Sequence, residues 1–497
     1  MDLLKIKHLR TIASIAIILS LAGCANKLPK IYNVPSTSSS PGEQWRAPTQ
    51  TLQKPFQKED NLPIEKIGDK LTKLTLLDAV DIGLRNNPST RASWADARAA
   101  AASYGASRGN WFPTINASGN ATRSRGISTA SATNSDGSTT TYSAGVSLSY
   151  LLFDFGGRSA VVEEARQALI AANWTQNAVI QNEILRVQLA FFNYIGSGAL
   201  LEANRTSLKE AELNLDAAEE KHKVGLATLA DVLQAKTAYS EIKLAVQSAE
   251  GQVRIAKSSL AVAMGYPANL GYDINAIPPG NPEGEITETV DKLIAQALEM
   301  RPDIQASRAL ASQMNAKIKE MRANLLPSVS AVGSLGRTWI DGISGYKNTY
   351  SGSLSLQVPL FSGFAREYDL MRAKAAADAA IEDSKSLEQS ITFQVFSTHS
   401  NFITAGERLK TANDLVASAV QSEEMALGRY KEGVGSILDL LSAQRTLASA
   451  RAEQINARLN WFQLLAQLAH DVGILGKDSE NPLISINQIN QSLEVKK

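Results

Sequence analysis

The 497-residue sequence predicts a mixed α+β membrane protein with an internal duplication: a unit of one β-hairpin and long α-helices occurs twice. Three observations predict this fold class: motifs that recur at a nearly fixed offset, segments in which apolar and hydroxyl side chains alternate, and long stretches without proline. A fixed offset indicates a duplicated structural unit. Alternation predicts strands with one apolar face, and the absence of proline permits long helices.

The N-terminus has the layout of a lipoprotein signal peptide over residues 1–23. A positive segment precedes an apolar run at 11–20, which is too short to span a bilayer. The Leu-Ala-Gly-Cys sequence that ends at Cys24 resembles the bacterial lipobox, so we expect lipid attachment at this cysteine. Ala25 is not the Asp that retains lipoproteins at the inner membrane, which favours the outer membrane. The alternative is an ordinary signal peptide with an incidental cysteine.

Composition and charge argue against several classes of function. The formal net charge is +1, and no polybasic run or Gly-rich phosphate loop occurs, so nothing points to nucleic acid. The single cysteine leaves no disulfide and, once lipidated, no thiol chemistry. Beyond the signal peptide the histidines are few and scattered, so we expect neither an enzyme, nor a metal site, nor a cofactor. These histidines are His222, His399 and His470.

Two registers relate the two copies of the unit. Pro113 recurs as Pro327, 214 residues later, whereas Gly225 recurs as Gly433, only 208 residues later. The six-residue difference lies between them and is assigned to the Ser/Thr-rich loop 123–141. An indel confined to a loop is typical of a duplicated fold.

The duplication predicts the domain boundaries. In chain order the predicted segments are a signal peptide (1–23), a lipid-anchored N-terminal strap (24–70), repeat 1 (71–270), an inter-repeat linker or equatorial segment (271–287), repeat 2 (288–475) and a polar C-terminal tail (476–497).

Each repeat is expected to contain three helices. The first is a helix of about 37 residues that ends at a proline, because a ring without an N–H cannot continue a helix. A helix of about 66 residues follows the strands, and a Gly-containing turn then leads to a returning helix. In the two repeats these are 75–111 and 288–325, then 157–222 and 365–431, then 228–264 and 436–472.

Two strands per repeat are expected to cross the outer membrane. Tyr142, Val146 and Leu148 alternate with Ser143 and Ser147, which makes one face apolar and the other polar. A length of about ten residues with this alternation suits a strand between lipid and water. A soluble sandwich with one solvated face is the alternative. The predicted membrane strands are 114–122, 142–153, 328–338 and 350–361.

Four strands from one chain cannot close a membrane barrel. Unpaired strand edges cannot face hydrocarbon, and membrane barrels need at least about eight strands. Several chains must therefore contribute to one barrel. Three would give twelve strands, and the pattern alone leaves a dimer and a tetramer open.

The chain resembles the TolC-type outer-membrane factors, the outer membrane efflux protein family in its lipoprotein branch. The duplicated architecture, the lipobox and two turn motifs carry the resemblance, the motifs being HKVGLATLADVLQA at 222–235 and RYKEGVGSILDLLSA at 429–443. The resemblance implies a homotrimer with a 12-stranded β-barrel in the outer membrane, continued by a long α-helical periplasmic barrel. Its tips would bind a periplasmic adaptor (membrane fusion) protein and an inner-membrane pump.

The same resemblance implies the site residues. It places Asp231, Asp439 and Tyr430 at the channel constriction, although each Asp could simply favour the first turn of its helix through the helix dipole. Two departures weaken the family's gate: Ser442 replaces an acidic residue, and Gly435 replaces an arginine. The turns expected to bind the adaptor contain Gly225, Leu226, Gly433, Val434 and Ser436.

Three functions are compatible with these features. The first is an efflux duct that passively conducts drugs or other small molecules in a tripartite export system. The second, in the same family, is the outer-membrane channel of a type I protein-secretion system. The third is a structural coiled-coil lipoprotein without a pore. Conductance would separate the last from the other two.

Overall fold

The computed structural model describes residues 74–125, 138–269 and 289–475. The signal peptide, Cys24, the strap 24–70, the linker 271–287 and the tail 476–497 lie outside the described residues. The described chain forms two compact units, which we call the helical unit and the sheet unit. The helical unit comprises residues 74–98, 173–269, 289–303 and 388–475, and the sheet unit comprises 99–125, 138–172 and 304–387.

Helices and strands follow the same order in both repeats. Repeat 1 contains α1 (Leu76–Asn86), α2 (Pro88–Arg108), β1 (Thr114–Arg125), β2 (Ser138–Phe153), α3 (Gly157–Lys223) and α4 (Leu229–Ala263). Repeat 2 contains α5 (Val290–Met300), α6 (Pro302–Ala323), β3 (Ser328–Ile340), β4 (Lys347–Gln357), α7 (Ala365–Lys431) and α8 (Ile437–Val472).

The first helix of each repeat is broken by a proline, and the predicted unbroken helices 75–111 and 288–325 were wrong. Asn87, between α1 and α2, has ψ 127°, and Arg301, between α5 and α6, has ψ 126°. A proline ring pushes the preceding residue out of the helical region, so Pro88 and Pro302 each begin a new helix. The prolines were visible in the sequence, but each was read as part of a continuous helix.

Two helices of 67 residues, α3 and α7, dominate the chain. At about 1.5 Å per residue each is roughly 100 Å long. Among the described helices only α3 contains a stretch apolar enough to cross a membrane, and almost half of that stretch is buried in the protein. The length of α3 is about three times what a bilayer requires. Its apolar stretch is therefore explained by packing.

The sheet unit contains one antiparallel sheet with the strand order β1-β2-β3-β4. Its register aligns the apolar side chains of all four strands: Ala117 pairs with Val146, Val146 with Leu335, and Leu335 with Tyr350. A neighbouring row on the opposite face is polar and consists of Asn116, Ser147, Ser334 and Ser351. The sheet thus has one apolar and one hydroxyl-rich face.

All four strands differ from the predicted bounds. β1 ends at Arg125 instead of 122, and β3 ends at Ile340 instead of 338. β2 begins at Ser138, four residues before the expected start at 142. β4 spans Lys347–Gln357 instead of 350–361. The apolar alternation continues to Leu360, but Pro359 has no N–H to donate to a neighbouring strand, so pairing stops before it.

A glycine ends the returning helix of each repeat beside the proline break of that repeat. Gly265 follows α4 with φ +82°, and a Cβ there would lie 2.7 Å from the backbone carbon of Asn86. Gly473 follows α8 with φ +83°, and a Cβ there would lie 3.1 Å from the backbone nitrogen of Arg301. Both positions combine a left-handed backbone with a close approach that a side chain would obstruct.

Arg301 joins three segments of the helical unit. Its guanidinium donates two hydrogen bonds to the carboxylate of Asp303, at 2.7 and 3.1 Å. Nη1 also donates to Oε1 of Gln394 on α7 at 3.0 Å and to the backbone oxygen of Asp471 on α8 at 3.3 Å. The side chain of Arg301 is only 8% exposed, so these bonds replace nearly all of its hydration.

The carboxylate of Asp471, which lies beside Arg301, is itself buried. Thr398 donates to it at 2.7 Å and Gln467 at 2.8 Å, and Nδ1 of His470 lies 3.0 Å away. Burial opposes the charge, but the hydrogen bonds from His470, Thr398 and Gln467 outweigh it and hold the pKa of Asp471 below its usual value. A charged carboxylate is thereby held inside the helical unit.

Candidate functional site

Two turns of the same construction connect the long helices to the returning helices. After α3, Gly225 has φ +79°, and the N–H of Leu226 donates to the oxygen of Lys221 at 2.8 Å. After α7, Gly433 has φ +76°, and the N–H of Val434 donates to the oxygen of Arg429 at 3.0 Å. This bonding pattern with glycine in the left-handed region is the Schellman motif that ends helices.

The apolar side chains of both turns point into solvent. Leu226 is 78% exposed and Val434 is 70% exposed, and Val224 and Leu438 are also exposed. Exposed apolar side chains at the end of a helical pair are typical of a surface that binds another protein. The turns therefore present the residues that the sequence suggested for adaptor binding.

The two acidic residues next to the turns differ in their contacts. Asp231 forms a capping box with Thr228: its carboxylate accepts from the Thr228 N–H at 2.8 Å, and its own N–H donates to the Thr228 hydroxyl at 3.2 Å. Asp439 donates its N–H to the hydroxyl of Ser436 at 3.2 Å, but within the described chain its exposed carboxylate accepts no hydrogen bond. Of these two carboxylates, only that of Asp439 is available to bind a cation.

Tyr430, the third predicted constriction residue, lies in the hydrophobic core behind the turns. Its side chain packs in one cluster with buried residues from α3, α4 and α8. The phenol oxygen is buried and has no hydrogen-bond partner among the described residues. Burial, and then the negative charge of Asp231, raise the pKa of Tyr430, so the phenol stays neutral. The other buried members of this cluster are Ala218, Ala235, Ala238, Ile437, Leu440 and Leu441.

Lys221 connects the two turns within one chain. From the last turn of α3, its Nζ donates to the backbone oxygen of Tyr430 at 2.9 Å and lies 3.9 Å from the centre of the Tyr430 ring. The carbonyl belongs to the end of α7, where the helix dipole is negative and attracts a cation. Lys221 therefore combines a hydrogen bond, a cation–π contact and a helix-end contact.

Gly435 leaves no room for a side chain. A Cβ there would lie 2.9 Å from the Cβ of Arg429 and 3.1 Å from its backbone carbon, so a larger residue would push the turn away from α7. The arginine that the family resemblance associates with this position could not be accommodated without moving the backbone. Within this chain, Lys221 makes a polar contact between the two turns.

Replacing Lys221 with alanine is expected to loosen the pairing of the two turns by about 1–2 kcal/mol, because a charged hydrogen bond and a cation–π contact are lost together. This weaker pairing should be measurable as faster backbone hydrogen exchange at residues 429–435. Lys223 is the matched control, because its exposed ammonium pairs with Glu220 on its own helix and makes no ion pair with the second turn among the described residues. Equal exchange in the Lys221→Ala and Lys223→Ala variants would contradict this role for Lys221.

Sequence reasoning located both turns but missed two contacts. No local pattern marks Lys221, which is 209 residues away from Tyr430 along the chain. No pattern marks Arg301 either, although its contacts reach α7 and α8. Among the described residues, no group of three or more His, Cys, Asp or Glu is placed to hold a metal ion.

Comparisons with known proteins extend these observations. The sequence matches the family described as "Outer membrane efflux protein" over residues 80–266 and 293–473. Protein CyaE of Bordetella pertussis is 28% identical over 406 residues, which cover 79% of this chain and 82% of that protein. The "Probable efflux pump outer membrane protein TtgC" of Pseudomonas putida is 27% identical over 391 residues, which cover 78% of this chain and 80% of that protein.

Solved structures share the fold. The CmeC outer membrane channel of Campylobacter jejuni superposes with a TM-score of 0.75 at 19% identity, covering 95% of this chain and 99% of that chain. The outer-membrane channel OprN superposes with a TM-score of 0.71 at 21% identity, covering 89% of this chain and 96% of that chain. At these identities the likeness concerns the fold alone.

Proposed function

The chain belongs to the outer membrane efflux protein family, and from that premise we propose that three copies of it form one passive export duct. The family, the fold class and the outer-membrane location expected from the sequence are confirmed. The family is one of channels and not of enzymes. The duct would conduct drugs or other small molecules from an inner-membrane pump and a periplasmic adaptor to the outside.

The four-stranded sheet supports the choice of three copies. β1 and β4 each have one hydrogen-bonded neighbour in the described chain, so both edges are available for pairing with other copies. Two copies would give eight strands, and a barrel of that size has an interior that side chains fill. Twelve strands from three copies would leave an open lumen. The sheet is therefore the observation that carries the proposal.

The two faces of the sheet suit this arrangement. The apolar row of Ala117, Val146, Leu335 and Tyr350 would face lipid, and the polar row would face the lumen. On the polar face the hydroxyls of Ser334 and Ser351 lie 2.7 Å apart, bonded to each other across β3 and β4. A wall of small hydroxyl side chains provides hydrogen bonds for water without a strong site that would retain a solute.

The turns and the N-terminus supply the attachments of the duct. We propose that the exposed turns bind the adaptor through residues Gly225, Leu226, Gly433, Val434 and Ser436. We further propose that Cys24 carries the lipid, so that each copy is anchored in the outer membrane by acyl chains as well as strands. A relative at 27% identity is named "Toluene efflux pump outer membrane protein TtgC", which favours small molecules as cargo.

Conductance tests the proposed function directly. The purified full-length protein should run as a heat-labile trimer on gels and form ion-conducting channels in planar bilayers. A soluble monomer without conductance would refute the duct. Deleting the gene that encodes this protein should make cells more sensitive to small toxic compounds. If the deletion instead abolishes secretion of a protein and leaves that sensitivity unchanged, the type I secretion channel is favoured.

Asp439 provides a test of the constriction. Three copies of its carboxylate would form an acidic ring, which attracts cations and retards their passage. The Asp439→Ala variant should show higher basal conductance and several-fold weaker block by divalent cations, with unchanged trimer assembly. Asp231→Ala is the comparison, because its carboxylate is occupied by the capping box and its loss should mainly weaken α4. Unchanged cation block in an assembled Asp439→Ala trimer would exclude this ring.

A further inference from the structure

A charged side chain interrupts the apolar face of the sheet. Arg337 on β3 lies between Leu335 and Trp339, which share its face because strand residues alternate. The register places Arg337 opposite Ala144 on β2 and Asn348 on β4. All of these residues lie toward the end of the sheet that is far from the helices. In the proposed duct this end of the apolar face meets the outer leaflet.

Two neighbours hold the guanidinium of Arg337 in position. Its Nε donates to Oδ1 of Asn348 at 2.9 Å. The carbon at the centre of the guanidinium lies 4.0 Å from the centre of the Tyr346 ring, which is a cation–π contact. Arg337 is half-buried by these contacts. Its two terminal nitrogens keep their planar fork of donors available, since neither neighbour uses them.

Within the described chain, no carboxylate pairs with Arg337. The neighbours that position it, Asn348 and Tyr346, are both neutral. A cation on the lipid side of a barrel is tolerated near the membrane surface but becomes costly toward the bilayer centre. The described residues leave this charge without a counter-ion, and we expect an anion at the level of the lipid headgroups to balance it.

We propose that Arg337, Tyr346 and Asn348 bind a phosphate group of an outer-leaflet lipid. The inference rests on the proposed function, because it requires the apolar face to lie against the membrane. A fork of guanidinium donors matches a phosphate in geometry and charge. The apolar residues that continue the same face, Leu335 and Tyr350, would lie along the acyl chains of the bound lipid. A free phosphate ion would gain nothing from that apolar surface.

Lipid binding by the assembled protein tests the proposal. The full-length trimer in detergent would be titrated with diphosphorylated lipid A and with its dephosphorylated form, and bound lipid counted by native mass spectrometry. The wild type should bind the phosphorylated form about tenfold more tightly, because only that form can make charged hydrogen bonds with the guanidinium of Arg337. Arg337→Gln should abolish this preference, and Arg337→Lys, which keeps the charge but not the fork, should retain part of it.

Lys347 provides a matched control at the same end of the sheet. It pairs with Thr338 in the register and so lies on the polar face, opposite to Arg337. Lys347→Gln removes one positive charge, as Arg337→Gln does, but should leave the preference for phosphorylated lipid intact. An equal loss of the preference for phosphorylated lipid in both variants would show that only net charge matters, and would overturn the site. A wild type that binds both lipids equally would also overturn it.

The outcomes separate this inference from the proposed function. A protein that assembles and conducts but binds both lipids equally would refute the lipid site alone. A protein that forms neither trimers nor channels would refute the duct, and with it the site. The heat-labile trimer band shows whether each variant has assembled. If Arg337→Gln does not assemble, Arg337→Lys decides the question.

Discussion

Replacing Arg301 with alanine is expected to destabilise the helical unit by about 3–5 kcal/mol, the cost of breaking a buried charged network by removing one partner. The change removes the two bonds to Asp303 and the bonds to Gln394 and Asp471. It also removes the side chain against which Gly473 packs. Urea denaturation of the full-length protein, followed by circular dichroism, would measure the loss, and the yield of assembled trimer should fall with it.

Asn87 is the matched control because it precedes the proline break of repeat 1. Its side-chain nitrogen donates to Oε2 of Glu183 at 2.7 Å, but it carries no charge. Asn87→Ala should therefore cost only about 1–3 kcal/mol, the range for removing one partner of a buried hydrogen bond, since Glu183 keeps its ion pair with Arg186. Equal losses at the two positions would mean that the proline breaks depend on packing and not on the charge of Arg301.

Substitution of alanine for Gly265 is expected to cost about 3 kcal/mol or more, because a left-handed backbone and an obstructed Cβ penalise the same residue. The new methyl group would meet the backbone carbon and oxygen of Asn86 at 2.7 and 2.8 Å. Since these atoms belong to the end of α1, relief requires α1 to move away from the end of α4. Thermal denaturation should show a lower midpoint than in the wild type.

Gly225 is the control that separates the cost of a left-handed backbone from the cost of an obstructed Cβ. Its φ of +79° matches that of Gly265, but nothing lies within 4 Å of the position where a Cβ would be. Gly225→Ala should therefore cost only the backbone term of about 1–2 kcal/mol. If both alanine variants lose the same stability, the close approach of Gly265 to Asn86 contributes nothing.

The sequence predicted those parts of the fold that depend on local pattern. Alternation along β2 identified the apolar face, and the register aligns Val146 with apolar residues on both neighbouring strands. A Gly-containing turn was expected at the end of each long helix, and Gly225 and Gly433 have positive φ there. Strand and helix periodicity act over a few residues, so one sequence suffices to read them.

The effect of proline on secondary structure was predicted at one position and missed at others. Pro113 was taken as the end of a helix, whereas Pro88 was placed inside one, although the ring has the same effect on the residue before it. The structure shows Asn87 in an extended conformation at that point. Pro359 was likewise included in a strand that cannot continue through it. Treating Pro88 and Pro302 as helix starts, and Pro359 as a residue that cannot donate to a neighbouring strand, would have placed all three boundaries.

Contacts between distant residues could not be predicted from the pattern. Asp471 is 170 residues from Arg301, and the two meet only because α8 ends beside the break between α5 and α6. The packing of Tyr430 was not predicted either: its ring is buried behind the turns, beside Lys221. Which side chain closes a turn depends on how helices pack, and a repeat in the sequence does not specify that.

The two open edges of the four-stranded sheet have a genetic consequence. If β4 of one copy pairs with β1 of the next, the contact is head-to-tail, and a ring of three closes only when every member offers both edges. A subunit with a proline in β4 could still pair through β1 and would leave the ring unclosed. If half of the subunits in a cell carried that proline, about one ring in eight would be intact. Such an allele should therefore be dominant over the wild type.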